Sequence, residues 1–258
     1  MRPRLSRTAR VLATGLAMIA FAGCSSAPSP AATPAELLVG EDCPDLVAGG
    51  TQVHFADGHG ASLTAVTLGT GKTGVVLAHM SDGDVCGWLA YALQLAKGGY
   101  RAMVFYFHGY GTSSAGTDDS SLDGDVVAAA GYLRGHGVET IALVGASMGG
   151  TATVAAATEL SPPPAVAISL SAPKFYQGVD ALTAAGKLTV PVLYAVGQGD
   201  TDFTGQTQAL YDATPASTGR TILIAPTTAH GTGMVGAPGS QVRDAMDKAL
   251  RDHAPVAG

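Results

Sequence analysis

The sequence is poor in charge and in aromatic rings. Of its 258 residues, 13% are charged and 6% are Phe, Trp or Tyr, with Trp88 the single tryptophan. Cationic residues are the scarcest, 14 against 20 acidic ones, for a net charge of −6. No basic stripe is present. That argues against a nucleic-acid partner, because neutralising phosphates takes clustered Lys and Arg. The three cysteines, Cys24, Cys43 and Cys86, stand far apart without a His pair beside them, which argues against a thiolate metal site. No sequence period repeats, which sets aside solenoids and propellers. The apolar run over residues 11–22 is too short for a membrane span.

That run has a different use. It follows four arginines, Arg2, Arg4, Arg7 and Arg10, and the order of basic then apolar residues is that of an export signal. It ends in Phe21-Ala22-Gly23-Cys24. This tetrapeptide resembles the lipobox of a bacterial lipoprotein signal, with Phe21 where Leu is usual. The resemblance implies cleavage before Cys24, diacylglycerol on its sulfur, and an outward-facing lipoprotein of the bacterial cell membrane. The alternative is plain secretion. Residues 25–34 are small, polar and Pro-rich, a natural tether. The expected organisation is a signal over 1–23, a tether over 24–40 and one domain over 41–258. Removing residues 1–23 takes away four basic residues and no acid, leaving ten against 20 and a net charge of −10. No polybasic segment then assists the lipid in holding a membrane. In an exported chain, Cys43 and Cys86 are compatible with one disulfide pinning the N-terminal segment to the sheet. The alternative is two free thiols.

Strands are expected over 51–55, 63–68, 74–78, 101–107, 140–144, 165–170, 192–196 and 221–225. Helices are expected over 88–97, 122–136, 148–160, 179–187, 204–211 and 240–250. The first two strands read as a hairpin across Asp57-Gly58. After them short apolar strands alternate with helices. This predicts an α/β fold, a doubly wound and mostly parallel sheet with helices on both faces. Such sheets bind ligands at the carboxyl ends of their strands. The informative loops therefore follow Ala78, Phe107, Val144, Val196 and Ala225.

Gly145-Ala146-Ser147-Met148-Gly149 joins an expected strand to an expected helix. Gly-x-Ser-x-Gly in that setting makes a tight turn that lifts the serine hydroxyl above the sheet, facing a helix N-terminus. Ser147 is the candidate nucleophile. Of the seven histidines only His230 and His253 follow it, as the chain order for this arrangement requires. His230, just past the last strand, is the candidate base; His253 lies past the last helix. The acid that orients the imidazole is either Asp200, nearer its strand end, or Asp202. Backbone N–H groups of Met148 and Met80 are the expected oxyanion donors. His79, Asp82 and Asp84 invite a metal, but a loop-shaping histidine accounts for His79 more simply. The glycine-rich loop after Phe107 lacks the Lys of a P-loop. The chemistry calls for no cofactor and no metal.

These residues resemble the α/β-hydrolase superfamily over roughly residues 50–252, with the nucleophile elbow at Gly145 to Gly149, the acid at Asp200 and the histidine at His230. The size is similar to small esterases and to the dienelactone-hydrolase-like branch. Where many members read His-Gly before the oxyanion loop, this chain has His79-Met80. Where they carry an acid and an arginine after the next strand, it has Tyr106 and His108. The resemblance implies a serine hydrolase forming an acyl-enzyme on a small carboxylic ester. The alternatives are a thioesterase, amidase or peptidase with the same triad, or a catalytically silent lipoprotein that binds a ligand or partner. Only about 20 residues separate Leu170 from Pro191, too few for a large cap, so an open cleft is expected. Phe175, Tyr176 and Phe203 are candidates to line it, and Trp88 reads as helix packing.

Overall fold

The structure, a computed structural model, describes residues 39–117, 120–236 and 240–256. The expected signal, Cys24 and most of the tether lie outside the described residues. The chain begins with two short helices, α1 (Val39–Asp42) and α2 (Pro44–Ala48). This segment is held as the sequence suggests: Cys43 forms a disulfide with Cys86, Cα atoms 5.6 Å apart, and Leu46 is fully buried.

Two strands follow as an antiparallel hairpin, β1 (Thr51–Ala56) and β2 (Ser62–Leu68), in register from Thr51 opposite Thr67 to Ala56 opposite Ser62. Asp57 organises the turn by accepting the N–H groups of His59 and Ala61. Then come β3 (Thr73–Ala78), α3 (Leu89–Lys97), β4 (Arg101–Phe105), α4 (Leu122–Gly135), β5 (Thr140–Ala146), α5 (Met148–Glu159) and β6 (Val166–Leu170). A small hairpin, β7 (Phe175–Tyr176) with β8 (Val179–Asp180), precedes α6 (Ala181–Ala185). The chain closes with β9 (Val192–Gly197), α7 (Thr201–Ala213), β10 (Thr221–Ala225) and α8 (Gln241–His253).

The main sheet runs in the order β1-β2-β4-β3-β5-β6-β9-β10, parallel from β4 onward. Burial explains the order. Every residue of β3, β6 and β9 is buried, whereas β1 and β10, at the edges, are largely not. Within the central strands successive side chains take opposite faces. Val76, Met103 and Leu143 pack with α4, α5, α6 and α7, while Val75, Leu77, Val104 and Val144 pack with α2, α3 and α8. On α8, the one-turn spacing of Val242, Met246 and Leu250 builds the buried stripe. Ser240 caps the start of that helix, its hydroxyl accepting the Arg243 N–H.

The structure corrects several expected elements. The helix before β4 opens with a 3₁₀ turn over Val85–Trp88, capped by the Asp84 carboxylate. Strand β4 stops at Phe105 rather than 107. The helix expected over 179–187 is α6 alone, because Val179 and Asp180 are committed to the small hairpin. That hairpin and α6 fill the connection from β6 to β9, and no large cap is present among the described residues. An apolar cavity of about 490 Å³ lies between α8 and the starts of β6, β9 and β10, lined by Val166, Val192, Ile222 and Ala249. It is at the amino ends of the strands and thus at the opposite end of the sheet from Ser147.

Candidate active site

Ser147 stands between β5 and α5 with φ 51° and ψ −118°. A non-glycine residue with positive φ is strained by roughly 1–3 kcal/mol, so its surroundings must enforce the turn. They do so by close approach. A Cβ on Gly145 would come within 2.1 Å of the Gly149 carbonyl oxygen, and one on Gly149 within 2.4 Å of the Ala78 oxygen. Both glycines of the pentapeptide are there because nothing larger fits. The turn is fastened by Ser147 N–H donating to Leu170 O at 2.8 Å and Gly149 N–H donating to His79 O at 3.2 Å. Met148 N–H belongs to the first turn of α5, whose N–H groups have no partner within the helix.

His230 enters from the loop after β10. Its Nδ1 lies 2.8 Å from Asp200 Oδ2. Asp200 directly follows the Gly199 of the β9 loop and is mostly buried, with its side chain 10% exposed. Asp202, two residues on, is exposed on the first turn of α7 and does not make this bond. The loop of His230 is seated against the serine turn through Gly231. With φ 52°, Gly231 packs so closely that a Cβ would meet Met80 Sδ at 2.4 Å and Ala146 Cβ at 3.3 Å. Its N–H donates to Ser171 Oγ at 3.2 Å. The elbow, the loop after β3 and the histidine loop thus meet at one residue. His253 closes α8 and is exposed.

Met80 lies in a turn in which Gly83 N–H donates to its carbonyl at 3.1 Å. Its side chain faces the histidine loop, with Thr232 Oγ1 at 3.7 Å from the sulfur. His79 is fully buried. Its Nε2 accepts from Phe107 N–H at 3.2 Å, which leaves Nδ1 to carry the proton and donate to Met80 O at 2.5 Å. Both ring nitrogens are therefore occupied with shaping the loop. Burial lowers the pKa of His79 to about 4, outweighing the bond to Met80 and the charges of Asp82 and Asp84. Trp88, also fully buried, donates its indole N–H to Ala78 O at 3.1 Å. The two positions that depart from the hydrolase pattern find carboxylates elsewhere. Tyr106 donates to Asp42 Oδ2 at 2.6 Å, and His108 Nδ1 lies 2.7 Å from Asp125 Oδ2.

Sequence reasoning missed Ser171 and Thr232, and it placed Phe203 only as a candidate lining residue. Ser171 directly follows β6, with φ 48°, and receives the Gly231 N–H. The signal available was its position, directly after a central strand at the same end of the sheet as Ser147. Phe203 lies on the His230 ring, centroids 4.3 Å apart. Phe175 is 60% exposed on the small hairpin, away from any such packing.

Parallel strand order, elbow and loop placement together define the α/β-hydrolase fold. Solved structures with this arrangement include an esterase of Pyrococcus furiosus, at a TM-score of 0.67 and 15% identity, covering 81% of this chain and 92% of that one. An enol-lactonase of Burkholderia xenovorans LB400 matches at 0.62 and 16%, covering 77% and 98%. A proline iminopeptidase of Mycobacterium smegmatis matches at 0.62 and 12%, covering 79% and 98%. No protein-family profile matches the sequence, and none of the curated proteins matches it.

Proposed function

We propose that this chain is a serine hydrolase that cleaves carboxylic esters through an acyl-enzyme. The observation that carries the reading is the 2.8 Å contact of His230 Nδ1 with Asp200 Oδ2, on a loop packed through Gly231 against the residue before Ser147. With Nδ1 held by the carboxylate, Nε2 is the nitrogen free to take a proton. His230 removes the Ser147 proton as Oγ attacks the ester carbonyl. The N–H groups of Met148 and Met80 receive the oxyanion. The C–O bond to the alcohol breaks, and the alcohol leaves with the proton from His230. Water, deprotonated by the same histidine, attacks the acyl carbon and restores Ser147. The esterase and the enol-lactonase of like fold support an ester-type substrate. Thioesters, amides and peptides would use the same groups.

The enzyme is read as exported and anchored through lipid on Cys24. The Cys43–Cys86 disulfide supports an oxidising compartment. The test is direct. A fluorophosphonate probe is expected to label the wild-type protein and not Ser147→Ala, and short p-nitrophenyl esters are expected to turn over only with wild type. Equal signals from the two proteins would leave the fold as a ligand-binding module.

A further inference from the structure

Phe203 is an aromatic ring in contact with the proposed general base. It stands on the first turn of α7, three residues after Asp200, and its N–H donates to Asp200 O at 3.0 Å. Its ring lies on the imidazole of His230 with centroids 4.3 Å apart and planes inclined by 49°. The ring is half-buried, so part of it closes the space around His230 and part remains open to a ligand. Neither the nucleophile nor the oxyanion donors use it.

We infer that Phe203 is a specificity and positioning residue of the site, selecting esters whose leaving alcohol is apolar and bulky, above all aromatic. The inference rests on the ester-hydrolase reading. When the tetrahedral intermediate collapses, the leaving oxygen takes its proton from His230 and so sits within hydrogen-bond distance of the imidazole. A ring packed at a tilt against that imidazole is then in van der Waals reach of any substituent on the oxygen much larger than methyl. An aryl or benzyl group can meet the Phe203 ring in a tilted or offset contact, which adds to simple burial. A methyl group cannot. The same ring covers one side of the imidazole, which restricts its rotation about the bond to Asp200. The carbonyl oxygen of the substrate is directed to the Met80 and Met148 N–H groups, whereas the leaving oxygen is directed to His230, beside Phe203. Selection therefore falls on the alcohol.

The experiment uses acetate esters that share the acyl group and differ in the alcohol: benzyl, phenyl and methyl acetate, with wild type, Phe203→Ala, Phe203→Leu and Ser147→Ala. Wild type is expected to favour benzyl over methyl acetate in kcat/KM. Phe203→Ala is expected to shrink that preference about tenfold, chiefly through KM for benzyl acetate. Phe203→Leu is expected to leave methyl acetate turnover unchanged and to keep only part of the benzyl preference. If Phe203→Ala lowers all three esters by the same factor, the ring is only structural support and the inference is overturned. An unchanged preference overturns it as well. If wild type exceeds Ser147→Ala on none of the esters, the ester-hydrolase reading itself has failed.

Discussion

Asp200 stands at the N-cap of α7 but caps nothing with its side chain. An aspartate at that position ordinarily accepts a helix N–H. Here the carboxylate is turned to His230 instead, and the helix start does without it. The proposed mechanism makes the two neighbouring acids separable. Asp200→Asn is expected to lower kcat by roughly three to four orders of magnitude, the scale known for losing the group that holds a catalytic imidazole. Asp202→Asn is expected to stay within about twofold of wild type. Steady-state kinetics on one activated ester checks both, and a larger loss from Asp202→Asn would reverse the assignment. The glycines of the elbow act through space rather than chemistry. Gly149→Ala would force a methyl group against the Ala78 and His79 carbonyls. It is expected to cost about 1–3 kcal/mol or more, the range for overpacking a filled interior, seen as a lowered urea midpoint with unchanged m-value.

At the scale of elements, the segment α1–α2 is tied to the site. The Cys43–Cys86 disulfide reaches the 3₁₀ turn at Val85–Trp88, Asp42 receives the Tyr106 hydroxyl, and Gly87 in that turn packs on Thr232 of the histidine loop. The bridge closes a loop of 43 residues, worth about 4 kcal/mol by the chain-entropy relation. The double variant Cys43→Ser, Cys86→Ser is expected to melt well below the oxidised wild type, measured by calorimetry. An unchanged Tm would mean that the bridge constrains little. Much of this scale could be read from sequence. The strands of the central sheet are short apolar runs between breakers, and burial on both faces is what makes them so. Residues 175–180 could not be read that way, since two-residue strands have no period to detect. The partners of Tyr106 and His108 were equally hidden, because Asp42 and Asp125 are 64 and 17 residues away and only the folded chain brings them near. Ser147, His230 and Asp200 were legible because each follows a strand that runs to the same end of the sheet. The seating of Gly231 on Met80 was not, because it depends on side-chain packing between loops.

The molecule as a whole responds to acid through its buried groups. His79 has a folded-state pKa of about 4 against an ordinary 6.5. Between those values the unfolded chain binds the proton that the folded protein refuses. The stability this contributes is present above pH 6.5 and lost as pH falls toward 4, on the order of 3 kcal/mol. Asp125 works in the opposite sense. Burial outweighs its bonds to His108 and raises its pKa, so the cost of holding it ionised is relieved in acid. Urea unfolding at pH 7 and pH 4.5, for wild type and His79→Asn, separates them. The variant is expected to lose less stability than wild type over that interval, and an equal loss would remove His79 as the cause.

The meeting point at Gly231 bears on how activity is acquired during folding. Its neighbours come from the ends of three strands that are remote in the chain, so the contact is among the last that an unfolded chain can close, each long loop adding to the entropy that must first be overcome. Sheet and helices can assemble before that glycine is seated; the proposed catalytic groups cannot be aligned until it is. In refolding from denaturant, the proposed hydrolytic turnover should therefore trail the recovery of far-ultraviolet dichroism, making its rate a clock for the final closure rather than for the fold.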